Sequence, residues 1–159
     1  MPVYERQTRV NAPFETVWEF HSNLDGLEAL TPSWMHLAVE DVRGPDGQPD
    51  PAVLEAGSRA RLSIRPFGVG PRQRWEIHIV SREEHAGSAA FVDEMERGPF
   101  RTWRHTHRFF ADGNATVVSD RVEYELPLGS VGRALGPLGK LGFGPMFSAR
   151  HRKTRELLE

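Results

Sequence analysis

The 159-residue sequence contains no cysteine. This absence excludes disulfide bonds, thiolate metal ligands, thiol redox centres and cysteine nucleophiles. The sequence also lacks an excess of one charge, since 20 lysines and arginines stand against 22 aspartates and glutamates, for a net charge of -2. Such a chain has no overall field that attracts a polyanion, and we expect no nucleic-acid partner.

Long apolar runs are also missing. No stretch is long enough to span a bilayer, so we expect no stable membrane insertion. Residues 1–6 run directly into polar and charged side chains and lack the apolar core of a secretory signal, which predicts a cytoplasmic protein. With 38% hydrophobic and 26% charged residues, the chain has the composition and length of one globular domain spanning residues 1–159.

The first forty residues predict one strand followed by two short helices. Residues 3–10 alternate between apolar and polar types, which is typical of a half-buried strand. Apolar residues at helical spacing follow Pro13, which suits the first position of a short helix. Asp25 is the predicted cap of a second short helix. That helix ends at Thr31-Pro32, because a residue before proline avoids the helical region.

Six more strands are predicted where runs of β-branched and aromatic residues alternate with turn signals. Their ranges are 36–43, 59–66, 72–82, 87–97, 101–110 and 115–126. The connection from Gly44 to Gly57 is a loop, in which residues 50–57 are compatible with one or two helical turns. Residues 147–158 predict a C-terminal helix, and the glycine-rich segment 127–145 before it is only weakly helical.

This order of elements predicts an α+β fold. A seven-stranded curved antiparallel sheet is expected to wrap around the long C-terminal helix, with two short helices between strands 1 and 2. A helix held by such a sheet leaves a tapering gap, where small-molecule pockets form.

Polar residues on otherwise apolar strand faces are the candidates for chemistry. His105 and His107 are two residues apart on one predicted strand, so both point to the same face, with backbones about 6.5 to 7 Å apart. Asp93, Asp120 and His151 are the predicted neighbours. Such a set could bind a metal ion, transfer a proton, or pair internally while it orients a ligand. We favour internal pairing and ligand orientation, with no metal and no cofactor.

Two further polar residues are candidates near the gap. The Tyr124 phenol and the Arg150 guanidinium could each orient a carbonyl or carboxylate group. Asp120 is expected to pair either with Arg150 or with a histidine. A buried arginine requires an anionic partner, which is either a protein carboxylate or an anionic ligand.

Aromatic residues complete the predicted lining, because pockets for small molecules combine aromatic side chains with a few polar groups. The full set of predicted ligand-binding residues is Trp75, Phe91, Asp93, Trp103, His105, His107, Asp120, Tyr124, Phe147, Arg150 and His151.

Five segments carry a family resemblance that covers the whole chain: Asn11-Ala12-Pro13 with Val17-Trp18, Leu30 to Trp34, Gly98 to Phe109, Asp120 to Gly129, and Phe147 to Arg152. They resemble the START and birch-allergen-like helix-grip superfamily, also called SRPBCC. Within it they are similar to the domain found alone or in front of an epimerase-like domain in cell-division-inhibitor-like proteins. The resemblance implies a helix-grip fold with a ligand cavity. No strand is followed by Gly-x-Gly-x-x-Gly, so it implies no epimerase activity here.

The favoured function is the binding of a small, largely apolar molecule between sheet and helix. One alternative is an enzyme of the cyclase, dehydratase or hydrolase type, with His105 or His107 as general base and Tyr124 or Asp120 as its partner. Another is an interaction module for an epimerase-like protein or for the division machinery. Dimerisation through the exposed sheet edges is left open.

Overall fold

The computed structural model describes residues 2–126 and 139–159, the latter with side chains from Phe143 onward. The strands are β1 (Val3–Val10), β2 (Ala38–Arg43), β3 (Arg59–Ile64), β4 (Gln73–His85), β5 (Ser88–Arg97), β6 (Thr102–Asp112) and β7 (Ala115–Glu125). The helices are α1 (Phe14–His21), α2 (Leu24–Leu30) and α3 (Gly139–Leu158), and single 3-10 turns cover Ser33–Met35 and Pro66–Gly68.

All seven strands form one antiparallel sheet in the order β1-β7-β6-β5-β4-β3-β2. From β2 to β7 each strand pairs with the next along the chain, and β1 joins the far side of β7. The register between β4 and β5 shifts twice, near Ile77 and near Ser81. Such bulges bend a strand and increase its twist, which accounts for the curvature of the sheet around α3. The predicted helix-grip architecture is confirmed.

The core consists of two apolar clusters. One contains Val17 and Trp18 of α1 with Phe109 of β6. The other contains Trp103 of β6 and Phe147 of α3. The first cluster attaches α1 to the sheet and the second attaches α3, so each helix is held on the concave side by aromatic side chains.

The C-terminal helix begins at Gly139, eight residues before the predicted start. Phe143 and Phe147 are one helical turn apart and both are buried, next to Tyr4 and Trp103. Packing of an apolar face stabilises a helix more than local propensity does, and here it outweighs the glycines of the segment. Residues 127–138 of the predicted glycine-rich segment lie outside the described residues.

Several local predictions were wrong. Asn23, not Asp25, caps α2, because its side-chain oxygen accepts the Gly26 N–H at 3.0 Å; Asp25 falls inside the first turn. Pro13 precedes α1 as its cap residue with extended backbone, so it is not the first helical residue. Residues 50–57 form no helix, and Asp50 instead adopts a left-handed backbone.

Strand ends also differ from the prediction by up to three residues. β2 starts late because His36 turns the chain in a left-handed conformation, and β3 ends early because Pro66 opens a 3-10 turn. None of the helices in the described ranges is long and apolar enough to cross a membrane.

Candidate functional site

A cavity of about 140 Å³ lies between the sheet and α3. Strands β3 to β6, helix α2, the segment after it and helix α3 all contribute to its walls. Most of the lining is apolar, with Ile64, Trp75 and Phe147 among the larger side chains. The polar exceptions are Thr31, Asp93, His105, His107 and Arg150. The cavity is thus an apolar chamber with an ionisable wall.

The ionisable wall belongs to a buried cluster of two aspartates and three histidines. His105 Nε2 lies 2.7 Å from Asp120 Oδ1, and His107 Nε2 lies 2.7 Å from Asp93 Oδ2. His151 Nε2 of α3 lies 2.6 Å from the second oxygen of Asp120. The other nitrogen of His107 is 3.4 Å from Asp120 Oδ1. Asp120 therefore links β6 to α3, and His107 lies between the two carboxylates.

Strand register explains this arrangement. His105 is directly opposite Asp93 on β5, and His107 is directly opposite Asp120 on β7. Each short hydrogen bond nevertheless joins the diagonal pair, two residues away along the neighbouring strand. Diagonal neighbours lie about 7 to 8 Å apart at the backbone, which two medium-length side chains can span.

Aromatic rings enclose the cluster on its apolar sides. The His105 and His107 rings stack at 3.6 Å, and Phe91 stacks on His107 at 3.9 Å. Phe147 contacts His105 edge-on at 5.3 Å. The cluster thus lies between the two apolar cores, where its charges have little access to water.

Both aspartates are ionised. Burial alone would raise the pKa of Asp120, but the hydrogen bonds from His105, His107 and His151 hold it well below its ordinary value. Burial likewise opposes ionisation of Asp93, and the hydrogen bond from His107 outweighs it, so the pKa of Asp93 is lowered. Ionised carboxylates only accept hydrogen bonds, so the imidazole nitrogens facing them carry protons.

The two stacked histidines have opposite protonation preferences. Burial works to lower the pKa of His107, but the hydrogen bonds to Asp120 and Asp93 raise it above its ordinary value. Burial and then the charge of His107 lower the pKa of His105. His151 Nδ1 is buried without a hydrogen-bond partner among the described residues. His107 is therefore the cation of the cluster, and His105 is neutral.

The arrangement has two chemical capabilities. Asp120 holds the Nε2–H of neutral His105, so Nδ1 carries the lone pair, as in a base oriented by a carboxylate. Asp93, His105 and His107 also each offer one ligand atom within 4.8 Å of the others, and a two-histidine, one-carboxylate set suits a divalent transition metal. In the arrangement described, the direct His107–Asp93 contact uses the atoms that a metal would require.

The predicted site residues divide into a lining set and a supporting set. Trp75, Asp93, Trp103, His105, His107, Phe147 and Arg150 line the cavity. Phe91, Asp120, Tyr124 and His151 do not line it. Asp120 and His151 are buried behind the two histidines, Phe91 supports His107, and Tyr124 packs edge-on to Phe143 at 4.9 Å.

Sequence reasoning missed a second part of the lining. Leu27, Thr31, Pro32, Met35 and Leu37 come from α2 and the segment after it. Nothing in the residue pattern indicated that this irregular segment covers the cavity. Leu62 and Ile64 of β3 also line the cavity and were not predicted, although their alternation along the strand could have indicated them.

A fourth buried histidine, His21, was not singled out in the sequence analysis. It lies at the end of α1, bonded through Nδ1 to the Val17 carbonyl at 2.8 Å. Burial lowers its pKa to about 4. A histidine in the last turn of an amphipathic helix offers no sequence signal for burial.

The fold is similar to solved structures that share little sequence with it. A crystal structure of a protein from Thermus thermophilus matches with a TM-score of 0.65 and 21% identity, over 98% of this chain and 95% of the other. A START superfamily protein from Mycobacterium smegmatis matches with a TM-score of 0.64 and 14% identity, over 98% and 96%. Norcoclaurine synthase from Thalictrum flavum, in complex with dopamine and hydroxybenzaldehyde, matches with a TM-score of 0.67 and 17% identity, over 98% and 85%.

No curated protein matches the sequence. The structural likenesses and the family match together confirm the SRPBCC resemblance. Because the model of the family described as polyketide cyclase / dehydrase and lipid transport matches residues 1–159, the chain belongs to that family.

Proposed function

We propose that the protein binds a small, largely apolar molecule in the cavity between the sheet and α3. The observation that carries the proposal is one apolar chamber with a preorganised ionisable wall. Ligand sites combine these two features, since apolar lining supplies affinity and a few placed polar groups supply orientation.

Cavity size limits the ligand class. The volume of about 140 Å³ is close to that of an engineered apolar cavity of about 150 Å³ that takes benzene. A ligand with one ring, or a short aliphatic chain, fills such a space. Phe147 and Trp75 offer ring faces or edges to it.

The polar end of the ligand is placed at the wall formed by His105, His107 and Asp93. Hydrogen bonds and stacking hold each of these side chains in one orientation, so little conformational entropy is lost when a ligand binds. The family description, which names both small-molecule enzymes and lipid transport, supports a ligand-binding role.

Intrinsic fluorescence tests the proposal directly, because Trp75 and Trp103 line the cavity. A panel of neutral one-ring and short-chain compounds is titrated into the wild type and into Ile64→Phe, which adds a ring to the cavity lining. Val69→Phe, at a residue that is 75% exposed, is the matched control. We expect binding by the wild type and the control, with loss of at least tenfold in Ile64→Phe. Equal affinity in all three proteins would place binding elsewhere.

A second candidate function is proton transfer, favoured by the His105–Asp120 pair. A neutral imidazole with one nitrogen anchored by a buried carboxylate is arranged to act as a general base. The test is hydrogen–deuterium exchange at the α-carbon of cyclohexanone, followed by NMR in deuterated buffer. Accelerated exchange that His105→Gln abolishes supports this role. If His105→Gln exchanges the probe as fast as the wild type does, His105 is not the base.

A further inference from the structure

Resting on the proposed function, we propose that the ligand is an acid: its polar end is a carboxylate, and Arg150 binds it. The Arg150 side chain lines the same cavity as the two histidines, from the α3 side. The ligand class is therefore a small organic acid with an apolar body of one ring or a short chain.

In the part of the chain that the structure describes, Arg150 has no carboxylate within 4.0 Å. Among the described residues, every ion pair within 4.0 Å involves other cations. Residues 127–138, which the structure does not describe, contain no aspartate or glutamate in their sequence. The missing anion is therefore not supplied from that segment.

Arg82 shows how this fold treats an arginine that is shielded from water. Its side chain is 16% exposed, and it donates to the Ser22 hydroxyl at 3.0 Å. It also lies 3.8 Å from the Glu84 carboxylate and 4.3 Å from the centre of the Trp18 ring. Arg150 is also partly buried and has none of these partners within the described part of the chain.

The two carboxylates of the buried cluster already accept hydrogen bonds from other side chains. Both oxygens of Asp120 accept from histidines, and both oxygens of Asp93 accept, from Trp103 and His107. The Arg150 charge nevertheless acts inside the fold, since repulsion from it is one of the causes, after burial, that lower the pKa of His21. The Arg150 guanidinium thus lines the cavity while the carboxylates of the cluster are bonded to other side chains. It is therefore suited to bind an anionic group of a ligand.

A carboxylate is the anion that best matches this lining. A guanidinium binds it through two parallel N–H···O bonds, which give geometric selectivity as well as affinity. His107, which also lines the cavity and is held as a cation, adds positive potential. Trp75 contributes a buried indole N–H without an acceptor in the described structure. All three features favour an oxygen-rich, negatively charged end group.

Acid and amide pairs of equal shape test the proposal. Benzoate is compared with benzamide, phenylacetate with phenylacetamide, and hexanoate with hexanamide, by tryptophan fluorescence and calorimetry on the full chain. We expect at least one acid to bind tenfold or more tightly than its amide. Arg150→Gln is expected to remove that preference, chiefly by weakening the binding of the acid. Arg152→Gln, two residues along α3 and exposed, is the matched control and keeps the preference.

The outcomes separate this inference from the proposed function. If the amides bind as tightly as the acids in the wild type, the acid inference is wrong and the apolar cavity proposal stands. If Arg150→Gln retains the acid preference, Arg150 is not the residue that carries it. If neither acids nor amides nor the neutral panel binds, the proposed function fails and this inference with it. The wild-type acid-to-amide ratio requires no variant, so a folding defect in Arg150→Gln does not remove the test.

Discussion

Replacing Asp120 with asparagine is expected to destabilise the protein by about 3–5 kcal/mol. Asp120 is 3% exposed and lies 2.7 Å from His105 Nε2 and 2.6 Å from His151 Nε2. The cation next to it is His107, whose Nδ1 lies 3.4 Å from Asp120 Oδ1, and removing one partner of a buried ion pair costs about 3–5 kcal/mol. Two hydrogen bonds to a charged group, at about 1.5–3 kcal/mol each, give a similar total. Asparagine keeps the size, so loss of charge and of one acceptor dominates.

Urea unfolding at pH 7, followed by tryptophan fluorescence, measures this effect. Asp112→Asn is the matched control, because Asp112 forms a surface pair with Arg9 in which both side chains are more than half exposed. Surface pairs contribute about 0–1 kcal/mol, so the control is expected to stay within that range. For a chain of this size, the expected loss in Asp120→Asn lowers the melting temperature by roughly 6–20 °C. A loss below about 1 kcal/mol would refute the account of Asp120 as the central acceptor of the cluster.

The pH dependence gives a second readout for the same variant. The folded-state pKa of Asp120 is depressed, so its contribution to stability is complete above the unfolded-state value near 4. That contribution is lost as the pH falls through the folded-state pKa. The stability difference between wild type and Asp120→Asn should therefore shrink on acidification below about pH 4. A difference that stays constant down to pH 2 would contradict the assignment.

Three further predictions concern stability and titration. The pKa of His21 is about 4 in the folded protein and 6.5 in the unfolded chain, so the wild type should lose up to about 3 kcal/mol of folding free energy as the pH falls from 6.5 to 4. His21→Asn should reduce this dependence of the unfolding free energy on pH. Because the pKa of His107 is raised in the folded protein, its protonated ring stabilises the fold fully below pH 6.5, and this stabilisation is lost as the pH rises through the folded-state pKa. His107→Gln should not show this loss of stability with rising pH. Phe147→Ala, at 1% exposure, should cost about 3–5 kcal/mol, whereas Phe110→Ala, at 43% exposure, should cost under about 1 kcal/mol in the same urea assay.

Alternation along β6 was sufficient to place His105 and His107 on the buried face with Trp103 and Phe109. The period of two is a property of the extended backbone, so the prediction required no knowledge of neighbouring strands. Choosing between Arg150 and a histidine as the partner of Asp120 was beyond the sequence. That choice depends on the register between β6 and β7 and on where α3 crosses the sheet, and both are set by contacts between distant residues.

The start of the C-terminal helix is a second feature that local sequence patterns could not decide. Glycine content predicts weak helix propensity before Phe147, yet the helix begins at Gly139 because Phe143 is buried with Phe147. The segment after α2 has no periodic pattern, and its place over the cavity follows from how α2 packs against α3.

By itself, the sequence determined the order of the elements, the antiparallel sheet and the inward face of the histidine strand, because these follow from local periodicity and turn chemistry. Tertiary structure alone decided that two aspartates and three histidines share one hydrogen-bonded cluster. It also decided that Arg150 remains without a protein carboxylate at the cavity, among the residues described. The physical reason is that hydrogen bonds and ion pairs act over a few ångströms, between side chains that only the folded chain brings together.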